Sequence, residues 1–205
     1  EHDKPIAVQV SIMTRETDID GKETRQDANE KFLVYPSQMV LAPKASQVIR
    51  VSWRGDAEIT QEQAYRIIGE QLPIDVDRAS LDEEKPSARF DIIMKYIGAL
   101  YITPPGASPE LVIESTGFSD IEGERYLEIV FHNKGKAHSM LKGINMSVFS
   151  KETGKSIAIS SKEIPAMEMT NLLAGAKRRF LVSWPDVIPY GEVSASFEIE
   201  PYDAG

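Results

Sequence analysis

Apolar side chains recur at every second residue in one segment after another, and that period limits the chain to sheet. Ile6, Val8, Val10 and Ile12 alternate with Ala7, Gln9, Ser11 and Met13. Ile49, Val51 and Trp53 alternate with Val48, Arg50 and Ser52, and Leu127, Ile129 and Phe131 with Glu128, Val130 and His132. Phe180, Val182 and Trp184 alternate with Arg179, Leu181 and Ser183, and Val193, Ala195, Phe197 and Ile199 with Ser194, Ser196 and Glu198. An extended chain turns successive side chains to opposite faces, so these segments are half-buried antiparallel strands. Asp20-Gly21, Asn133-Lys134-Gly135, Thr153-Gly154, Ala174-Gly175 and Tyr190-Gly191 supply turns between strands. Many short strands with such punctuation build β-sandwiches, so the fold class is all-β. Helical pieces are expected only around Thr60–Ala64 and Glu163–Met169.

Two stretches interrupt the pattern. Asp75–Ser87 is polar and charged and reads as a loop. Thr103-Pro104-Pro105-Gly106 is a stiff break, because proline fixes φ and cannot donate to a ladder. The domain boundary is expected there, giving domains 1–103 and 104–205. In the first, strands are expected over 5–14, 31–34, 38–41, 46–53, 64–72 and 90–102. The 205 residues suffice for two cores of about a hundred residues each, a size that folds without staples.

The residue inventory argues against most chemistry. A net charge of −9 with no basic stripe disfavours nucleic acid as a partner. No apolar run approaches the roughly 20 residues that span a bilayer, so no direct membrane insertion is expected. With no cysteine there is neither a disulfide nor a thiolate metal site. His132 and His138 flank a turn without an HExxH pattern and read as solvated loop histidines; no metal is expected. Asp18-x-Asp20-Gly21 has the outline of a calcium loop, but Lys22, Glu23 and Asn29 stand where that loop needs other residues, so it reads as a hairpin turn. There is no nucleophile elbow, phosphate-binding loop or dinucleotide fingerprint. No catalytic residue, cofactor or enzyme activity is expected.

The informative region is 32–101. Pro36-Ser37-Gln38-Met39-Val40-Leu41-Ala42-Pro43, followed by Gln47-Val48-Ile49-Arg50-Val51, is one motif. Tyr65-Arg66-Ile67-Ile68 leading to Leu72-Pro73 is a second, and the long apolar segment Phe90–Ile102 before Thr103-Pro104 is a third. In this order and spacing they resemble the first domain of periplasmic chaperones for pilus and fimbrial subunits, the PapD-like family. Beyond Pro105 the likeness rests on strand pattern and on Leu173-Ala174-Gly175-Ala176-Lys177.

The resemblance implies two immunoglobulin-like sandwiches set at an angle around a cleft, a periplasmic location, a pilus or fimbrial subunit as partner, and delivery to an outer-membrane usher. It implies donor-strand complementation, in which the last strand of the first domain pairs with the open edge of an incomplete subunit sandwich. Phe90, Ile92, Met94 and Tyr96 share one face of that strand and are the expected donors; Ile93, Lys95, Ile97 and Ala99 share the other. It also implies a basic anchor for the subunit's C-terminal carboxylate, expected here at Arg66 and Lys95, since a carboxylate favours charge-assisted donors. Ala99 stands at the family's usual lysine spacing, and its first-strand arginine has no counterpart. Pro5–Val10 resembles the family's third strand, so the natural protein is expected to begin earlier, with a signal peptide and two strands. The competing reading is a two-domain surface adhesin or a pilus subunit; a subunit would carry its own alternating N-terminal extension and a cysteine pair.

Overall fold

The computed structural model describes residues 4–73 and 93–200. The loop expected over 75–87 lies outside them. The chain forms two compact units: Glu1–Arg15, Arg25–Ala57 and Ala64–Ile102 make the first, and Glu16–Thr24, Glu58–Gln63 and Thr103–Gly205 the second. The first half of the chain contains strands β1 (Ile6–Thr14), β2 (Glu16–Thr17), β3 (Glu23–Thr24), β4 (Phe32–Tyr35), β5 (Gln38–Leu41), β6 (Arg50–Trp53), β7 (Gln63–Leu72) and β8 (Lys95–Ile102).

In the first unit a four-stranded sheet of order β5-β1-β7-β8 accompanies the β4–β6 pair. The period-two pattern dictates which faces meet. Ile12 and Tyr65 point inward from β1 and β7 and bury against Ala28 and Phe32, with Val34, Val51, Leu100 and Ile102 packed around them. The Phe32 ring meets Trp53 and Tyr65 edge-on, with centroids 5.0 and 4.9 Å apart. Burial pushes the Tyr65 phenol above its usual pKa. Each such ring pair adds about 0.5–1.5 kcal/mol beyond area burial. Phe32→Leu keeps an apolar filler but loses both, and should cost about 2 kcal/mol, read as a lower urea midpoint with an unchanged slope.

The second unit is built from β9 (Leu111–Ile121), β10 (Glu124–Asn133), β11 (Ser139–Leu141), β12 (Asn145–Ser150), β13 (Ser156–Ser160), β14 (Thr170–Leu172), β15 (Lys177–Ser183) and β16 (Val193–Glu198). Its sheets run β15-β10-β9, β13-β12-β16 and β11-β14. Leu127, Ile129 and Phe131 enter one core with Met146 and Val148, as their alternation requires. A register shift between Val130 and Phe131 lets Val130 bury as well. The β2–β3 hairpin, which belongs to this unit, is the turn expected at Asp20-Gly21. Asp18 Oδ1 accepts the Asp20 and Lys22 amides at 3.0 and 2.8 Å, and Gly21 adopts a φ of 80°.

Three expectations need correction. The helical pieces do not form: 60 and 61 are bends and Glu62 is irregular before β7 starts at Gln63, and 163–169 are turns closed by bonds such as Met167 N–H to the Ile164 carbonyl at 2.9 Å. Pro165 has no amide to donate, and segments this short cannot repay helix nucleation. The strand expected over 46–53 begins only at Arg50, and that expected over 90–102 begins at Lys95, with Ile93 and Met94 before it outside regular structure. The histidines are not solvated loop residues. His132 lies within β10, with Nδ1 3.4 Å from Glu114 Oε1. His138 is buried, with Nδ1 2.8 Å from Glu62 Oε1, an acid that no local pattern links to it.

Candidate functional site

β8 is the last strand of its sheet. It adjoins β7 on one side, and no strand among the described residues adjoins it on the other. Natural edge strands are usually short, charged or covered, because unpaired amides and carbonyls template further pairing. This one is long and apolar on both faces. Leu100 and Ile102 reach the core, whereas Tyr96 is 66% and Ile97 44% exposed.

Three contacts set the β7–β8 register. The Gln71 amide donates to the Met94 carbonyl at 2.9 Å, Lys95 Nζ lies 3.4 Å from Glu70 Oε2, and a β-carbon on Gly98 would lie 3.0 Å from Ile67 Cγ2. A single antiparallel register satisfies all three, and it sets Arg66 beside Ala99. Because Gln71 and Met94 bond across the pair, alternation turns the amides and carbonyls of Lys95, Ile97 and Ala99 to the open edge.

Combined with the β1–β7 register, this orders the face opposite Ile12 and Tyr65, on which Ile68 is buried, into cross-strand rows. Gln9, Glu70 and Lys95 form one; Ser11, Ile68 and Ile97 the next; Met13, Arg66 and Ala99 the third. Arg15 and Tyr101 close the series, with Arg15 Nη1 donating to the Tyr101 hydroxyl at 2.9 Å. The crossing passes over Ala64, whose carbonyl accepts the Arg15 amide at 3.0 Å and whose side chain is small enough to be bridged.

Arg66 and Lys95 therefore share a face but stand two rows apart, roughly 13 Å along the strands at about 3.3 Å per residue. Arg66 projects over the small Ala99 side chain. Its nearer cation is Arg15, at a diagonal cross-strand position, a spacing of about 7–8 Å. Lys95 is held at Glu70. Of the expected donors, Met94 and Tyr96 lie together on the opposite face, the Tyr96 hydroxyl 3.7 Å from Met94 Sδ. Phe90 and Ile92 lie outside the described residues. Sequence reasoning missed Arg15, which sits just past the end of β1. Extending that strand's odd-numbered polar face by one step would have found it.

Residues 1–107 match the family described as pili and flagellar-assembly chaperone, PapD N-terminal domain. The chain belongs to that family. Membership sets the chaperone reading above an adhesin or a subunit. No curated protein matches the chain. The chaperone's fold is that of several solved structures. One is a chain of the CsuC-CsuE chaperone-tip adhesion subunit pre-assembly complex from archaic chaperone-usher Csu pili of Acinetobacter baumannii, with a TM-score of 0.54 at 13% identity over 94% of this chain and 79% of that one. A chain from a chaperone-tip adhesin complex of CFA/I fimbriae biogenesis gives 0.54 at 13% identity, over 98% and 88%. The class 5 fimbriae chaperone CfaA gives 0.53 at 13% identity, over 98% and 89%. The two-domain, immunoglobulin-like, all-β architecture is shared. No helix among the described residues is long and apolar enough to cross a membrane.

Proposed function

We propose that this chaperone works in the periplasm, captures a pilus or fimbrial subunit by donating β8 to its open edge, and hands it to an outer-membrane usher. The observation that carries the reading is the edge of β8 that no strand among the described residues adjoins, with the Lys95, Ile97 and Ala99 backbone directed to it. An incoming subunit strand gains main-chain hydrogen bonds there and receives side chains into its groove. The donors are Met94 and Tyr96, together with Ile92 and Phe90, which lie outside the described residues. Arg66 receives the subunit's terminal carboxylate, with Arg15 as its diagonal neighbour. Lys95 acts further along the edge, where it meets a different part of the subunit.

Co-purification from periplasm tests the capture. The chaperone should emerge one-to-one with a small subunit that aggregates when expressed alone; recovery of the chaperone without any subunit rejects the reading. The edge itself is tested by Ile97→Pro. The Ile97 amide points away from β7, so proline should spare the ladder and remove one outward donor. One net hydrogen bond is worth about 0.5–1.5 kcal/mol. Subunit affinity should fall roughly tenfold with the chaperone's melting curve preserved. Unchanged affinity in the folded variant would take this edge out of the mechanism.

A further inference from the structure

The second unit has an open side of its own. Among the described residues, β13 and β15 are each the last strand of their sheet. A cavity of about 380 Å³ lies there, lined by Ile157, Ile159, Phe180, Val182 and Trp184 and reached by Ile164 from the following turn. Glu163 and Asp186 also line it, and no cation does among the described residues. The Glu163 carboxylate is held below its usual pKa by the Ser160 amide and hydroxyl, which donate to it at 2.9 and 2.8 Å.

The flank at β15 is directional. The Arg179 amide points away from β10 and donates to the Ile19 carbonyl of the β2–β3 hairpin at 2.7 Å, while the Trp184 amide points back to the Arg125 carbonyl at 2.9 Å. Alternation therefore turns the amides and carbonyls of Leu181 and Ser183 to the cavity side of the strand. The hairpin already occupies the edge at Arg179, and the next two outward positions continue that line.

We infer that this slot is a second strand-addition site, in the second unit, whose occupant is an extended apolar peptide segment flanked by lysine or arginine. Its backbone extends the hairpin's pairing along Leu181 and Ser183. Its alternate side chains enter the slot beside Trp184, and its cations face Glu163 and Asp186. A line of backbone donors and acceptors along an apolar slot suits an extended chain better than a compact ligand. The acidic rim sets the sign of the flanks.

The site carries its own reporter. In a Trp53→Phe background, Trp184 is the sole tryptophan. A short synthetic peptide of alternating valine and leucine with lysine at both ends should shift its emission saturably. The same peptide with glutamate ends should bind roughly tenfold more weakly. Leu181→Pro should weaken the lysine peptide by a similar factor, because the amide it removes points away from β10. Asp186→Lys, which touches no ladder, should reverse the preference between the two peptides and serves if the proline variant misfolds. Ile97→Pro should leave this binding intact, which separates the slot from the edge of β8. The inference fails if neither peptide produces a saturable shift. It also fails if the two bind equally, if an apolar dye enters the slot while both peptides are refused, or if the slot is instead filled by a second copy, seen as concentration-dependent dimers that Leu181→Pro abolishes.

Discussion

Arg66→Ala should weaken subunit binding about a hundredfold while leaving the melting curve of the free chaperone nearly unchanged. Truncating one partner of a buried, hydrogen-bonded charge pair costs about 2–5 kcal/mol, largely because the other charge is left buried and alone. Arg66 qualifies by position. It lies half-buried on the face of β7 opposite Tyr65, beside the small Ala99 and diagonal to Arg15. Arg66→Lys should recover only part of the loss, since an ammonium cannot offer the planar fork that a carboxylate accepts. Lys95→Ala should cost much less than Arg66→Ala. Lys95 is nearly half exposed and already sits 3.4 Å from Glu70, and exposed pairs of this kind contribute about 0–1 kcal/mol. Titration calorimetry with a purified subunit, or with a peptide of its C-terminus, reads all three. Parental affinity in Arg66→Ala, or a greater loss in Lys95→Ala, would move the anchor elsewhere.

The sheet faces of both units were legible in the sequence because their cause is local. The identity of every second residue decides which side of a strand buries, and β15 and β16 follow their alternation throughout, whereas β1 also buries Ala7 and β10 also buries Val130 at its register shift. The turn at Asp20-Gly21 was legible for the same reason. The place of β8 at the end of its sheet was implied only by the family resemblance, because an apolar strand reads alike at an edge or a centre. What stayed hidden was pairing between distant residues. That Arg66 faces Ala99, that Arg15 reaches Tyr101 over Ala64, and that the β2–β3 hairpin joins the second unit through Asp20 and Arg179 all depend on register and crossing. None leaves a periodic trace. The misread at Glu163–Met169 has a related origin: Ile164 and Met167 sit three residues apart, as helix neighbours do, yet successive turns bury both.

Glu62→Ala should destabilise the second unit by about 3–5 kcal/mol. The side chain is almost wholly buried, and both of its oxygens are engaged. Oε1 accepts the His138 amide at 2.9 Å and lies 2.8 Å from His138 Nδ1, and Oε2 accepts the Thr103 hydroxyl at 2.8 Å. The Glu62 amide donates to the Lys136 carbonyl at 2.9 Å, so the segment is fixed through main chain and side chain together. Alanine removes one acceptor group and strands three others in a site with little water, and each buried group left unmade costs about 1–3 kcal/mol. The loss should appear as a drop in melting temperature of roughly 10 °C. Glu62→Gln keeps an acceptor for the His138 amide and should lose about half as much. Glu62 immediately precedes β7 and Thr103 immediately follows β8, so this one carboxylate joins the residue before β7 to the residue after β8. A Glu62→Ala melting temperature within a degree of the parent would show that the cluster is held by its backbone alone, and that the carboxylate is dispensable.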